Sequence, residues 1–189
     1  MRNKAFDEDH VLTQAMHLFR HKGFGSASVK DIEQATGLKT GSIYHSYRDK
    51  EGLFQAALGH YNGKVVAGRI ARFLPPGAGL ADLRALFQSL LHEPGGTADG
   101  CLLTNSAIEF GAGAVPARDG VHQGFELLRE AFERVLADAG LAAPQTAALR
   151  LLVFYQGLLV VIRSAYATGY LNQLIDLEFS NLEKTHDER

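Results

Sequence analysis

Apolar residues recur at steps of three and four along almost the whole of this chain, and nowhere do they alternate one by one. The first spacing puts them on one face of a helix, and the second is what a half-buried strand requires. The chain therefore reads as all-α, with about nine helices. The first runs from about Asp7 to Lys22, with Val11, Leu12, Ala15, Met16, Leu18 and Phe19 on its apolar stripe. Acidic residues open it, His21 and Lys22 close it, and Gly23 stops it. Two short helices follow, Val29 to Ala35 behind a Ser28/Asp31 capping box and about Thr40 to Tyr47. Asp49 caps a longer helix that Pro75-Pro76-Gly77 ends. Further helices are expected over 80–91, 101–110, 117–139, 144–168 and 172–184, with breaks at Pro94–Gly96, Gly111–Gly113, Gly140 and Gly169.

The 144–168 segment is apolar on nearly every side, and such a helix must be covered all round. In a chain of 189 residues part of the cover can come from a second copy. This points to a homodimer built on the last two long helices, with Leu152, Tyr155, Leu159 and Arg163 as its seam. The most apolar stretch, Leu151 to Ile162, is interrupted by Gln156 and flanked by Arg150 and Arg163. It is shorter than the about 20 residues that cross a bilayer. Residues 1–10 are polar and show no signal-peptide core, and a single cysteine excludes an intrachain disulfide. The expectation is a cytoplasmic protein without a membrane partner.

A formal net charge of −2 hides an asymmetry. Residues 1–50 carry eight Lys/Arg (Arg2, Lys4, Arg20, Lys22, Lys30, Lys39, Arg48, Lys50) against six Asp/Glu, and residues 51–189 carry eleven against fifteen. A basic end on an acidic chain hints at a charged partner there.

That end holds the sharpest signal. Two short helices join through Thr36-Gly37, where glycine can take the positive φ that other residues resist. Ile32 and Ala35 of the first can pack on Leu38, Ile43 and Tyr47 of the second. This is the build of a helix-turn-helix whose second helix enters the major groove of DNA. Its free face carries Lys39, Thr40, Ser42, Tyr44 and His45, the donors, acceptors and aromatic that reach bases and phosphates. A helical hairpin with a solvated polar face is the bland alternative.

The spaced residues Leu18-Phe19, Gly23-Phe24, Ser28 to Ile32, Ala35, Gly37-Leu38, Gly41 to His45, Tyr47 and Asp49 to Leu53 resemble the N-terminal domain of TetR-family transcriptional regulators. The resemblance covers about the first 55 residues. It implies a three-helix DNA-binding domain over 1–50 and a helical bundle over 51–189 that binds a small-molecule inducer and dimerises on a palindromic double-stranded operator. Carried over, Tyr44 and His45 would lie at the DNA surface, Lys50 would hold a phosphate, and Ser28 would meet the backbone. Thr40, Gly41 and Ser42 would lie closest to the bases. Three positions depart from the family pattern: Lys39 stands where a small capping residue is usual, Thr40 for Lys or Arg, and Tyr47 for Phe.

Asp99-Gly100-Cys101-Leu102-Leu103-Thr104-Asn105-Ser106-Ala107-Ile108-Glu109 resembles a segment of one TetR branch that answers electrophiles through its cysteine. A place at a helix N-terminus would favour the thiolate. No Lys or Arg lies within sixteen residues on either side, so an activating cation must come from elsewhere in the fold. The alternative is a buried, inert thiol. Polar residues on apolar helices are the pocket candidates: Asn105, Glu109, His122, Tyr155, Gln156 and Arg163, with Phe87, Phe125 and Phe154 beside them. No cofactor motif is recognisable. His10, His17 and His21 share a face, but no third ligand or adjacent Glu makes a metal site of them. The competing functions are a cysteine-dependent enzyme using Cys101 and His122, and a helical interaction module without DNA binding.

Overall fold

The computed structural model describes residues 6–92, 99–111, 118–164 and 167–187, and among these every regular element is helical. The elements are α1 (Glu8–Lys22), α2 (Val29–Thr36), α3 (Thr40–Tyr47), α4 (Lys50–Tyr61), a π turn (Asn62–Val66), α5 (Ala67–Phe73), α6 (Leu80–Ser89) with a 3-10 turn (Leu90–His92), α7 (Leu102–Phe110), α8 (Arg118–Asp138), α9 (Pro144–Arg163) and α10 (Thr168–Asp187). Counting α4, the π turn and α5, which follow one another without a break in the chain, as one, the described residues hold nine helical segments. The break expected at Pro94–Gly96, most of that at Gly111–Gly113, and Ala117 lie outside the described residues. Two boundaries move: α9 stops at Arg163 rather than near Thr168, and α10 starts at Thr168, so Gly169 falls inside its first turn.

The chain packs as two compact units, one of residues up to Val65 with Leu102–Gly124, the other of Val66–Cys101 with Phe125–Arg189. In the first, α1 is capped as its sequence demands: Asp7 accepts from the His10 N–H at 3.2 Å, and Gly23 takes φ 79° at the other end. Phe19 meets Phe54 edge-on at 5.0 Å, and Phe24 and Phe110 join them at 5.2 and 5.5 Å from Phe54. Each such pair adds about 0.5–1.5 kcal/mol beyond the area it buries. The first residues of α8 reach this unit through Gly120 and Gly124, where an added Cβ would come within 2.6 Å of Leu58 and 2.5 Å of Asn62 respectively. Buried Asn62, at the start of the π turn, donates to the Gly120 carbonyl at 2.7 Å.

The second unit is built round Phe87, which contacts Phe132, Phe154, Tyr155 and Phe179 at ring distances of 5.2 to 5.7 Å. Arg84 of α6 pairs with Asp176 of α10 at 2.6 Å, and Arg150 of α9 with Glu178 of α10 at 2.9 Å. At 20 residues α9 is long and apolar enough, by length and composition alone, to cross a membrane, so the shorter 151–162 count understated it. Its Ala148, Leu151, Leu152, Tyr155, Leu158 and Ile162 are instead buried in the protein. Leu152 and Tyr155 thus cannot form a seam with a second copy. The exposed apolar residues of this helix are Leu149, Val153 and Val160, one phase round from the expected stripe. A helix apolar on every side gives no sequence signal for which face turns inward.

Candidate nucleic-acid interface

The helix-turn-helix is fixed by polar contacts at each of its ends. Ser28 and Asp31 close the capping box in both directions, at 3.1 and 2.9 Å. Lys22 reaches the same carboxylate at 2.7 Å, and this contact, with those from Ser28, holds Asp31 well below the ordinary carboxylate range. The Ser28 hydroxyl also donates to Asp31 at 2.7 Å, so it is engaged in the cap while remaining exposed. The turn uses Gly37 in the left-handed region, φ 71°, with Thr36 folded back onto the Ile32 carbonyl at 2.7 Å.

Lys39 occupies the N-cap of α3 and offers no side-chain cap. Glu33 of α2 takes that part instead, accepting from both the Thr40 N–H and the Thr40 hydroxyl at 2.7 Å. These two bonds lower the Glu33 carboxyl below its usual range. Two departures from the family pattern are thereby accounted for together: an uncapping Lys39 is tolerated because Thr40 is short enough to be held by Glu33.

Ile43 and Tyr47 bury the inner face of α3. The Tyr47 hydroxyl is pushed up to about 12 by burial and by the neighbouring Glu8 charge of α1. Its extra oxygen, relative to Phe, therefore faces a partner on α1. On the outer face Lys39, Gly41, Ser42, Tyr44 and His45 are all exposed. Lys50 opens α4 with its ammonium 4.5 Å above the Phe24 ring. Arg48, at the C-cap of α3, is exposed and takes φ 72°.

Residues 11–57 match the family model for bacterial regulatory proteins of the tetR family. The chain carries a TetR-type N-terminal domain. Over 66 aligned residues it is 41% identical to the HTH-type transcriptional repressor ComR of Escherichia coli (strain K12), covering 35% of this chain and 31% of that protein. An uncharacterized HTH-type transcriptional regulator, YezE of Bacillus subtilis (strain 168), is 33% identical over 111 residues, 57% of each chain. The alignment thus spans less than two thirds of either curated relative. Over the whole chain the TetR fold is shared with a cysteine mutant of the TetR family transcriptional regulator CifR complexed with 26-bp operator DNA. That match has a TM-score of 0.75 and 26% identity, covering 95% of this chain and 98% of that one.

The residues expected to line an inducer pocket fall in both units, Asn105, Glu109 and His122 in the first and Cys101, Phe125, Tyr155 and Arg163 in the second. Asn105 donates to the Arg20 carbonyl of α1 at 3.1 Å, and Glu109 accepts from the Phe24 and Gly25 N–H groups. Both polar side chains are therefore committed to the helix-turn-helix. His122 and Arg163 are exposed, and Phe125 is half-buried. Cys101 and Tyr155 are buried and do interact. Burial pushes the Tyr155 hydroxyl up, opposed by the charge of Arg69 and by a hydrogen bond from it, while the nearby Cys101 thiol raises it further. Arg69 is also anchored on the Ser89 hydroxyl at 2.6 Å.

Proposed function

We propose that this protein is a DNA-binding transcriptional repressor of the TetR type, acting in the cytoplasm as a homodimer on a two-half-site operator. The carrying observation is the outer face of α3. Five polar or small residues stand free above a buried Ile43–Tyr47 anchor, inside the segment that matches the family. In this reading residues 1–50 contact DNA and 51–189 sense a signal and dimerise. Tyr44, His45, Ser42 and Gly41 face the groove, while Lys39 and Lys50 meet phosphates. Ser28, exposed at the capped start of α2, meets the DNA backbone. Thr40 sets the pose of α3 through Glu33 rather than reading a base itself.

The test starts with selection of bound duplexes from a random-sequence pool, followed by anisotropy titrations on the enriched duplex. Lys50→Ala should weaken binding about tenfold on every sequence. It should also lower the salt slope by about two per dimer, one phosphate contact per subunit. Tyr44→Ala should weaken it comparably, and Ser42→Ala should alter the enriched sequence. Full affinity in both the Lys50 and Tyr44 variants, or no enrichment at all, would refute the docking.

A second reading is a thiol-linked release, and what supports it is the burial of Cys101 in packed surroundings. In this reading an adduct on the buried Cys101 overpacks its surroundings, a strain of about 1–3 kcal/mol. The strain passes to α7, the helix that follows it directly in the chain. Treatment with N-ethylmaleimide, with the adduct checked by mass spectrometry, should release the duplex from wild type and leave Cys101→Ser bound. Equal release of both, or retention by fully modified wild type, rules the cysteine out as sensor.

A further inference from the structure

The loop between α1 and α2 is gripped by a side chain 85 residues further along. Glu109, in the last turn of α7, accepts from the Phe24 N–H at 2.9 Å and from the Gly25 N–H at 2.5 Å. Glycines stand on either side of Phe24, and a Cβ at Gly23 or Gly25 would come 3.0 or 3.1 Å from this carboxylate. One turn earlier on α7, Asn105 donates to the Arg20 carbonyl at 3.1 Å, one of the acceptors left over at the end of α1. The next residue after Glu109, Phe110, lies 5.3 Å from the Phe24 ring. On that same ring rests the ammonium of Lys50, at 4.5 Å.

We propose that Glu109 is a positioning residue for DNA binding, fixing the Phe24 peptide and ring and thereby the place from which Lys50 presents its charge to a phosphate. The proposal rests on the DNA-binding reading above. Two features separate it from a simple staple. A carboxylate accepts from two N–H groups at once through charge-assisted bonds, about twice as strong as neutral ones, whereas an amide of the same shape offers one oxygen and turns a donor toward the other N–H. And the held element is not an arbitrary loop but the platform under the cation. As a bare negative charge near DNA, Glu109 would oppose binding, so neutralising it would tighten the complex. As a positioning group, its loss weakens the complex and removes a phosphate contact.

The full-length chain, titrated on the enriched duplex across a salt series, distinguishes these. Glu109→Gln should bind about tenfold more weakly, with a salt slope lower by about two per dimer, the same loss as Lys50→Ala. The double variant should be no more than about twofold weaker than Lys50→Ala alone, because one contact cannot be lost twice. Weaker binding of Glu109→Gln with the wild-type slope, additive losses in the double variant, or tighter binding would each overturn the proposal. Should Glu109→Gln not fold by circular dichroism, Phe24→Leu keeps the apolar packing and the loop N–H groups but removes the ring under Lys50. It should show the same slope loss, and a wild-type slope there overturns the proposal equally. Wild type that enriches no duplex would remove the DNA-binding reading itself, and this inference with it. Wild type that binds beside an unaffected Glu109→Gln would remove the inference alone.

Discussion

Gly52→Ala is expected to abolish duplex binding and to lower the melting temperature by about 6–12 °C. Gly52 lies in the first turn of α4, where its N–H donates to the Asp49 carboxylate at 2.7 Å. A Cβ built there would stand 1.9 Å from the Tyr47 carbonyl oxygen and 3.1 Å from its carbon. The obstructing atoms are backbone, at the end of α3, so no side chain can swing aside. Overpacking of a core costs about 1–3 kcal/mol, and a clash with immovable backbone belongs at the top of that range. For a chain of this size each kcal/mol lowers the melting temperature by about 2–4 °C. The binding loss is larger than the stability loss, because relief requires the end of α3 to part from the start of α4. That separation displaces Tyr44 and His45 on one side and Lys50 on the other. Gly59→Ala, in the same helix with nothing within 4 Å of its Cβ, is the control. It should stabilise by about 0.5–1 kcal/mol, the usual gain of Ala over Gly inside a helix. A Gly52→Ala protein melting within about 2 °C of wild type and binding normally would show that α3 and α4 do not approach this closely.

The local layer of this fold was legible in the sequence because its causes are local. The apolar steps of α1, its Asp7 and Gly23 ends, the Ser28/Asp31 box and the left-handed Gly37 each depend on residues three or four apart. What was hidden depends on pairs that are distant in the chain. Glu33 capping α3 through Thr40, and Tyr47 pairing its hydroxyl with Glu8, were visible only as departures from a family pattern. Asn105 and Glu109 read as pocket residues because polar groups on an apolar helix need partners, and a pocket is one place to find them. Their partners turned out to be backbone groups at the end of α1 and in the loop after it. The π turn at Asn62–Val66 left no mark in the apolar spacing, since it adds one residue to a turn without changing which residue types are present. The phase of α9 was undetermined for a different reason: with apolar residues on all sides, burial depends on which neighbours arrive, not on the helix itself.

The phase of α9 leads to the second large effect, the conversion of a dimer to monomers by Val153→Glu with Leu174→Glu. Leu149, Val153 and Val160 recur on one face of α9, and Tyr170, Leu174 and Leu177 on one face of α10, all exposed in the single chain. Single exposed apolar residues are ordinary, whereas runs of them along two ion-paired helices are the surface that the proposed homodimer would cover. An isologous pairing uses the same patch from each copy, so one substitution places its charge in the interface twice. Val153 is 66% exposed, and a carboxylate there disturbs nothing within the monomer. At micromolar concentration wild type should sediment at twice the 20.5 kDa chain mass, and the double variant at the chain mass with an unchanged helical spectrum. Affinity for the enriched duplex should fall by about 100-fold or more, the avidity lost when two half-site contacts cease to be linked. The order of the two losses is informative. If the variant is monomeric yet binds as tightly as wild type, each subunit reads DNA alone and the operator has a single site. If wild type itself sediments as a monomer, the apolar faces of α9 and α10 serve something other than self-association, and the two-half-site operator falls with them.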